Sequence, residues 1–206
     1  MNRRHAVLVI LGLCLATSRP ALAKPLEVTP FLGAMIPANS LFLESGGGSY
    51  IRMQTHTVYG LAIGCPSSDK LGGQIVLGAG TGKLELVGGS TSLSMASTLF
   101  MADLRVRMRL LGSESSHLSG VLGVGYTDFN TGLFDLANET DQGTFLGRLT
   151  GVAGAEIHST LSEHVRLNVG IVDRIHVSGA ALNLGSTGSE KTQNDIVATV
   201  GLSFPL

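Results

Sequence analysis

Between residues 98 and 110 the chain alternates without a break. Thr98, Phe100, Ala102, Leu104, Val106, Met108 and Leu110 share one parity, and Asp103, Arg105, Arg107 and Arg109 share the other. An α-helix would scatter those charges round its circumference, whereas a β-strand sets odd and even residues on opposite faces. The segment therefore reads as a strand with one apolar wall and one charged wall. Mean hydropathy is positive, yet beyond residue 23 there is no apolar run of the ~20 residues that a helical span needs. The apolar surface is distributed by alternation, as in a barrel that spans a membrane with strands.

Eight segments carry this pattern: residues 26–36, 50–64, 73–85, 98–110, 118–127, 144–157, 165–177 and 195–204. Glycine-rich or polar stretches separate them, including 37–49, 65–70, 88–90, 112–116, 129–142, 158–164 and 179–193, where turn chemistry is favoured. In residues 50–64 the pattern places Ile51, Met53, Tyr59, Leu61 and Ile63 on the apolar wall. The expected fold is all-β: an eight-stranded antiparallel up-and-down transmembrane β-barrel. An even strand count puts both chain ends on one side, with the connections near 65, 113 and 160 at the periplasmic end. Those near 43, 89, 136 and 186 fall at the outer end. Eight strands enclose room for side chains rather than a water channel. Glu27, Arg52, His56, Asp103, Arg105, Arg107, Arg109, Arg148, Glu156 and Arg166 are thus expected to fill the lumen as a paired polar core, since buried charges need partners. Pro30 cannot donate to a ladder, which suits it to a seam or rim. Aromatics for membrane-interface girdles are sparse, with no tryptophan and three tyrosines.

The N-terminal residues carry Arg3 and Arg4, an apolar run from Ala6 to Ala16, and small residues at Ala21 and Ala23. This is the pattern of a cleaved secretory signal over residues 1–23, leaving residues 24–206 as the barrel domain. Cys14 follows Leu13 rather than the small residue of a lipoprotein signal, so the leader reads as an ordinary one. Cys65 is then the one cysteine of the mature chain and forms no internal disulfide. Arg3, Arg4 and Arg19 leave with the leader, and the 15 acidic residues then outnumber the basic ones. That balance gives no footprint for a nucleic-acid partner.

At the other end, Thr199, Gly201, Phe204 and Leu206 are spaced as polar residue, glycine, aromatic and terminal hydrophobe. The spacing resembles the C-terminal sorting signal of bacterial outer-membrane barrels, with leucine in place of the usual terminal phenylalanine. Leader, alternating segments and this ending together resemble a small outer-membrane β-barrel of the OmpA/OmpX-like architecture. The resemblance implies export through the periplasm, barrel-assembly machinery as a partner during insertion, and residence in outer-membrane lipid and lipopolysaccharide. It does not carry an activity, because the fold hosts anchors, adhesins and enzymes alike.

One constellation carries chemistry. Arg174-Ile175-His176-Val177-Ser178, with Glu190 downstream, resembles the outer-membrane lipid A 3-O-deacylases. The resemblance implies His176 as general base, Ser178 as nucleophile and Glu190 as the group that orients the imidazole. This chain has Gly179 where that family has an asparagine thought to help hold the oxyanion, and parity places His176 and Ser178 inward with Arg166 and Asn168. Gly78-Ala79-Gly80-Thr81-Gly82-Lys83 lacks the first glycine and the final Ser/Thr of a phosphate loop and lies in a strand. His158 and His164 flank a turn without a third convincing ligand, so no metal is expected, and no cofactor. The favoured reading is a non-enzymatic integral outer-membrane protein whose outer loops engage a partner. A lipid A deacylase-like hydrolase is the alternative, and a soluble periplasmic lipocalin-like carrier with its apolar parity turned inward is the third.

Overall fold

The computed structural model describes residues 26–38, 50–65, 71–88, 91–131, 145–178 and 191–206. Nine strands form one antiparallel sheet: β1 (Glu27–Pro37), β2 (Tyr50–Met53), β3 (His56–Gly64), β4 (Leu71–Gly88), β5 (Thr91–Gly112), β6 (Ser116–Thr131), β7 (Phe145–Ser162), β8 (Val165–Ser178) and β9 (Lys191–Pro205). β2 and β3 both pair with β4, so they are two pieces of one barrel strand and the ring has eight. The ring is closed, because β1 pairs with both β3 and β9 while β4 pairs with both β3 and β5. Closure satisfies each strand's backbone groups from its two neighbours and removes the exposed edges of an open sheet.

The alternation reappears as two walls. Ile75, Leu77, Phe100, Leu104, Val106, Leu122, Val124, Ile171, Val200 and Phe204 are exposed on the outside, while Gln74, Asp103, Arg105, Arg107, Ser119, Thr127, Glu156 and Ser203 are buried inside. This arrangement overturns the lipocalin-like expectation, which needs the apolar parity turned inward.

The expected second strand is interrupted. Met53 pairs with Leu84 and Thr57 with Thr81, so Gln54, Thr55 and His56 oppose only Gly82 and Lys83. Such an extra residue is a β-bulge, and it exchanges the faces of everything on one side of it. Met53 is therefore buried in the lumen, against the sequence expectation, while His56 and Val58 are buried on the even parity. Two expected connections begin as strand. Phe129 lies within β6 and is 3% exposed, and His158 lies within β7 and is 4% exposed, leaving Glu163 and His164 as the turn. β9 likewise starts at Lys191, inside the expected 179–193 loop.

At the end that holds both described chain termini, β5 turns into β6 through Gly112, whose φ of 108° lies in the left-handed region that glycine enters without strain. Ser113 N–H donates to Ser116 O at 2.8 Å to close that turn. The seam between β1 and β9 stays in step across Pro30, from Val28↔Phe204 to Phe31↔Gly201. Gly201 permits the approach, since a Cβ there would lie 2.6 Å from Pro30 O. Thr29 and Ser203 hydroxyls bond across the same seam at 2.5 Å.

Candidate functional site: an ionic plug in the lumen

The inward charges of β5 are spaced two apart, so Asp103, Arg105 and Arg107 stack along one wall of the lumen. Asp103 is the hub. Its Oδ2 accepts from Arg105 Nη2 at 2.8 Å and from Arg174 Nη1, contributed by β8, at 2.5 Å. Arg174 also donates to Thr127 Oγ1 at 2.8 Å, tying β8 to β6. Arg105 Nη1 lies 3.4 Å from Glu156 Oε1 on β7, and Arg107 lies 3.8 Å from both Glu156 and Glu27. Arg107 Nη2 donates to Cys65 O at 2.9 Å, anchoring the end of β3. Three guanidiniums thus meet three carboxylates across four strands, β1, β5, β7 and β8.

The arrangement fits the cost of burying charge. A single buried ion is expensive in a low-dielectric interior, and a network is tolerable only when partners and hydrogen bonds satisfy its members. Volume is supplied by glycine on the facing strands: a Cβ on Gly125 would collide with Asp103 Oδ1, and one on Gly170 would crowd Glu156 Cγ at 3.1 Å. Below the ions runs a chain of polar contacts. His158 Nε2 is 3.5 Å from Glu156 Oε2, and His158 Nδ1 is 2.5 Å from Asn168 Oδ1. Asn168 Nδ2 in turn donates to Ser203 Oγ, which meets Thr29. The His117 ring stacks on His158 with centroids 4.8 Å apart.

Toward the opposite end the lumen is closed by packing. Met35, Met53, Val58, Leu84, Leu99, Met101 and Phe129 are each buried within one cluster. The cavity between the two layers, lined by Gln74, Met101, Arg105 and Glu156 among others, has a volume of about 30 Å³. That holds about one water molecule. Among the described residues the lumen is filled by side chains.

Of the residues expected in the polar core, Glu27, His56, Asp103, Arg105, Arg107, Arg148 and Glu156 are buried inward. Arg148 stands apart from the network and interacts electrostatically with Asp195. Arg109 and Arg166 depart from expectation: both are half-buried at the rim. Arg109 donates to Gly112 O at 3.0 Å there, where water can solvate what the network does not. The Arg52 backbone pairs with Glu85, and its side chain lies outside the described residues. Arg174 belongs to the core but was missing from the expected set. Its even parity beside Arg166 and Asn168 was the signal that could have found it. In the C-terminal motif, Gly201 is buried inward while Phe204 and Leu206 are exposed outward, as their spacing implies. The deacylase-like set is not assembled on the described side chains: those of His176 and Ser178, and Glu190 entirely, lie outside them. Gly78–Lys83 lies within β4, far from any helix N-terminus that a phosphate loop requires. Among the described residues no group of histidine, cysteine and carboxylate side chains could hold a metal.

No protein-family model and no curated protein sequence matches the chain. Among solved structures it is similar to the outer membrane protein OprG from Pseudomonas aeruginosa, at 15% identity and a TM-score of 0.61, covering 89% of this chain and 96% of that one. It is also similar to Neisserial surface protein A, at 9% identity and a TM-score of 0.57, covering 88% and 97% respectively. At these identities the likeness is one of fold, and the fold is that of the small outer-membrane β-barrels.

Proposed function

We propose that this chain is an integral outer-membrane β-barrel protein, non-enzymatic, sealed along its axis and presenting its outer end to partners. The observation that carries the reading is the pairing of an apolar outer wall with an ion-paired interior. A soluble protein has no use for so large an apolar exterior, and contiguous apolar surface on this scale marks a surface in contact with lipid. The leader over residues 1–23 and the motif ending at Leu206 supply export and recognition by the assembly machinery. The strand ends at Pro37, Tyr50, Thr131, Phe145, Ser178 and Lys191 share the outer end with the β4–β5 hairpin. That hairpin pairs in register from Leu71↔Met108 to Gly88↔Thr91. Its 18 and 22 residues exceed the ~9–11 that a tilted strand needs to cross a membrane, so the hairpin stands beyond the bilayer.

Membrane fractionation with heat-modifiable gel mobility tests the location. Recovery in the outer-membrane fraction, with a folded band that shifts on boiling, is the expected result, and release by osmotic shock would sink the reading. Planar-bilayer recording tests the plug, for which no open porin-like conductance is expected. The hydrolase alternative stands on its sequence resemblance. It is separated by lipid A mass spectrometry of cells expressing wild type or Ser178→Ala, where a serine-dependent loss of an acyl chain would establish it.

A further inference from the structure

One imidazole in the apolar layer is half used. His56 is fully buried in the outer half of the lumen. Its Nδ1 lies 2.8 Å from Gln54 O, which can only accept, so Nδ1 carries the hydrogen and donates. Nε2 is buried as well, and among the described residues it has no hydrogen-bond partner. A proton there would bury an unpaired cation, so the ring is neutral and Nε2 keeps its lone pair. Buried polar atoms are nearly always satisfied, which makes this one a feature to explain.

The ring is placed by glycine. A Cβ on Gly82 would lie 2.5 Å from its Cγ and 2.7 Å from its Cδ2. The root of the ring therefore rests on β4, and Nε2 lies further into the lumen. Two thioethers flank it. Met35 on β1 is the cross-strand partner of His56, and such partners have Cα atoms about 4.5–5.5 Å apart. Met53 pairs with Leu84, two residues along β4 from Gly82, which is about 7 Å of strand. Strict alternation would set Met53 and His56 on opposite walls, and the bulge at Gln54 and Thr55 turns both inward. Met35 and Met53 are 0% and 3% exposed. With three rotatable bonds each, their sulfurs can adjust to a shared ligand without moving the strands.

We propose that His56 Nε2 and the sulfurs of Met35 and Met53 form a binding site for a soft monovalent metal cation, Cu(I) or its redox-inert surrogate Ag(I). Thioether and neutral imidazole donors suit Cu(I). Hard divalent cations require oxygen ligands, and structural zinc takes four ligands from thiolate, imidazole and carboxylate, of which the site offers one. The bond from Nδ1–H to Gln54 O is the contact by which a metal-bound histidine is usually held in its tautomer and orientation. Because all three donors are neutral, the loaded site carries the charge of the ion alone.

The experiment uses the chain carrying Cys65→Ser, since the free thiol would take the metal itself. It is refolded from urea into detergent with Ag(I) present, desalted, and weighed by native mass spectrometry, with heat-modifiable mobility showing that each variant has folded. One Ag(I) per folded chain is expected. His56→Phe, and separately the volume-preserving pair Met35→Leu and Met53→Leu, should lower retention about tenfold or more, whereas Met108→Leu on the outer wall should leave it unchanged. If His56→Phe does not fold, the methionine pair decides. In spectra of ¹³C-methyl methionine, Ag(I) should shift the two signals that those leucine substitutions remove. No Ag(I) on the folded chain, undiminished retention in the methionine pair, or equal retention of Zn(II) would each overturn the site.

Discussion

The two halves of the lumen are closed by opposite chemistries. Toward the chain termini Asp103, Glu156 and Glu27 neutralise Arg174, Arg105 and Arg107. Toward the outer end Met35, Met53, Leu84, Leu99, Met101 and Phe129 pack without a charge among them. The difference teaches how each layer fails. Apolar packing loses stability gradually as methylenes are removed, because neighbours relax into part of the space. A buried ionic network fails abruptly when one partner goes, because the remainder is left charged and unpaired.

The largest expected effect therefore lies at the hub. Asp103→Ala leaves Arg174 without its carboxylate and Arg105 with Glu156 alone, and should cost about 3–5 kcal/mol, read as a lower urea midpoint of the folded band on unboiled gels. Asp103→Ala combined with Arg174→Met removes one stranded cation and should recover part of the loss. If the double variant is no more stable than the single, the hub is not held by this pairing. In the apolar layer, Phe129→Ala should cost about 3–4 kcal/mol and Met101→Ala about 2–3 kcal/mol. Met101→Leu, close in volume, should cost under about 1.5 kcal/mol. The comparison breaks if Met101→Leu proves as damaging as Asp103→Ala.

These two layers were also unequally legible in the sequence. The ionic layer was readable because β5 spells it out: charges at 103, 105 and 107 against apolar even positions admit a strand and little else. Even there the set was incomplete. Arg174 follows Asp173 in a strand that also carries Arg166 and His176, and nothing local says that it reaches Asp103 across the ring. Arg109 and Arg166 share the parity of the core but sit at its rim, and parity carries no information about depth. The apolar layer was hidden for a different reason. Met53 was placed on the outer wall because one extra residue near Gln54 and Thr55 shifts the register, and register is set by pairing with β4 rather than by β2 itself. Phe129 was hidden because Asn130, Gly132 and Asp135 suggest a loop, whereas pairing of β6 with β5 extends the strand to Thr131.

Smaller substitutions sharpen the contrast between a layer that needs room and one that needs contact. Gly125→Ala adds a methyl against Asp103 Oδ1 and the Ala102 carbonyl. Overpacking of this kind typically costs about 1–3 kcal/mol, and here it should also disturb the Arg174–Asp103 pair. Gly120→Ala is the matched control, because its Cβ would meet Leu110 Cδ1 at an ordinary 3.4 Å. Its effect should stay within about 0.5 kcal/mol. Equal effects at the two positions would show that the plug tolerates extra volume beside Asp103.

The most local effect is expected at the turn, where neither layer is touched. Gly112 has φ 108°, and a Cβ there would collide with Ser116 O. Gly112→Ala should therefore cost about 1–2 kcal/mol through backbone strain alone. Because the turn joins β5 to β6 beneath Arg109, which donates to Gly112 O, the strain should remain at the rim. Hydrogen exchange checks this directly. Faster exchange confined to residues near 110–118, with the Asp103 and Thr127 amides still protected, is the expected pattern. Loss of protection at those two amides would mean that rim and plug unfold as one unit, and that the ionic layer depends on the turn beneath it.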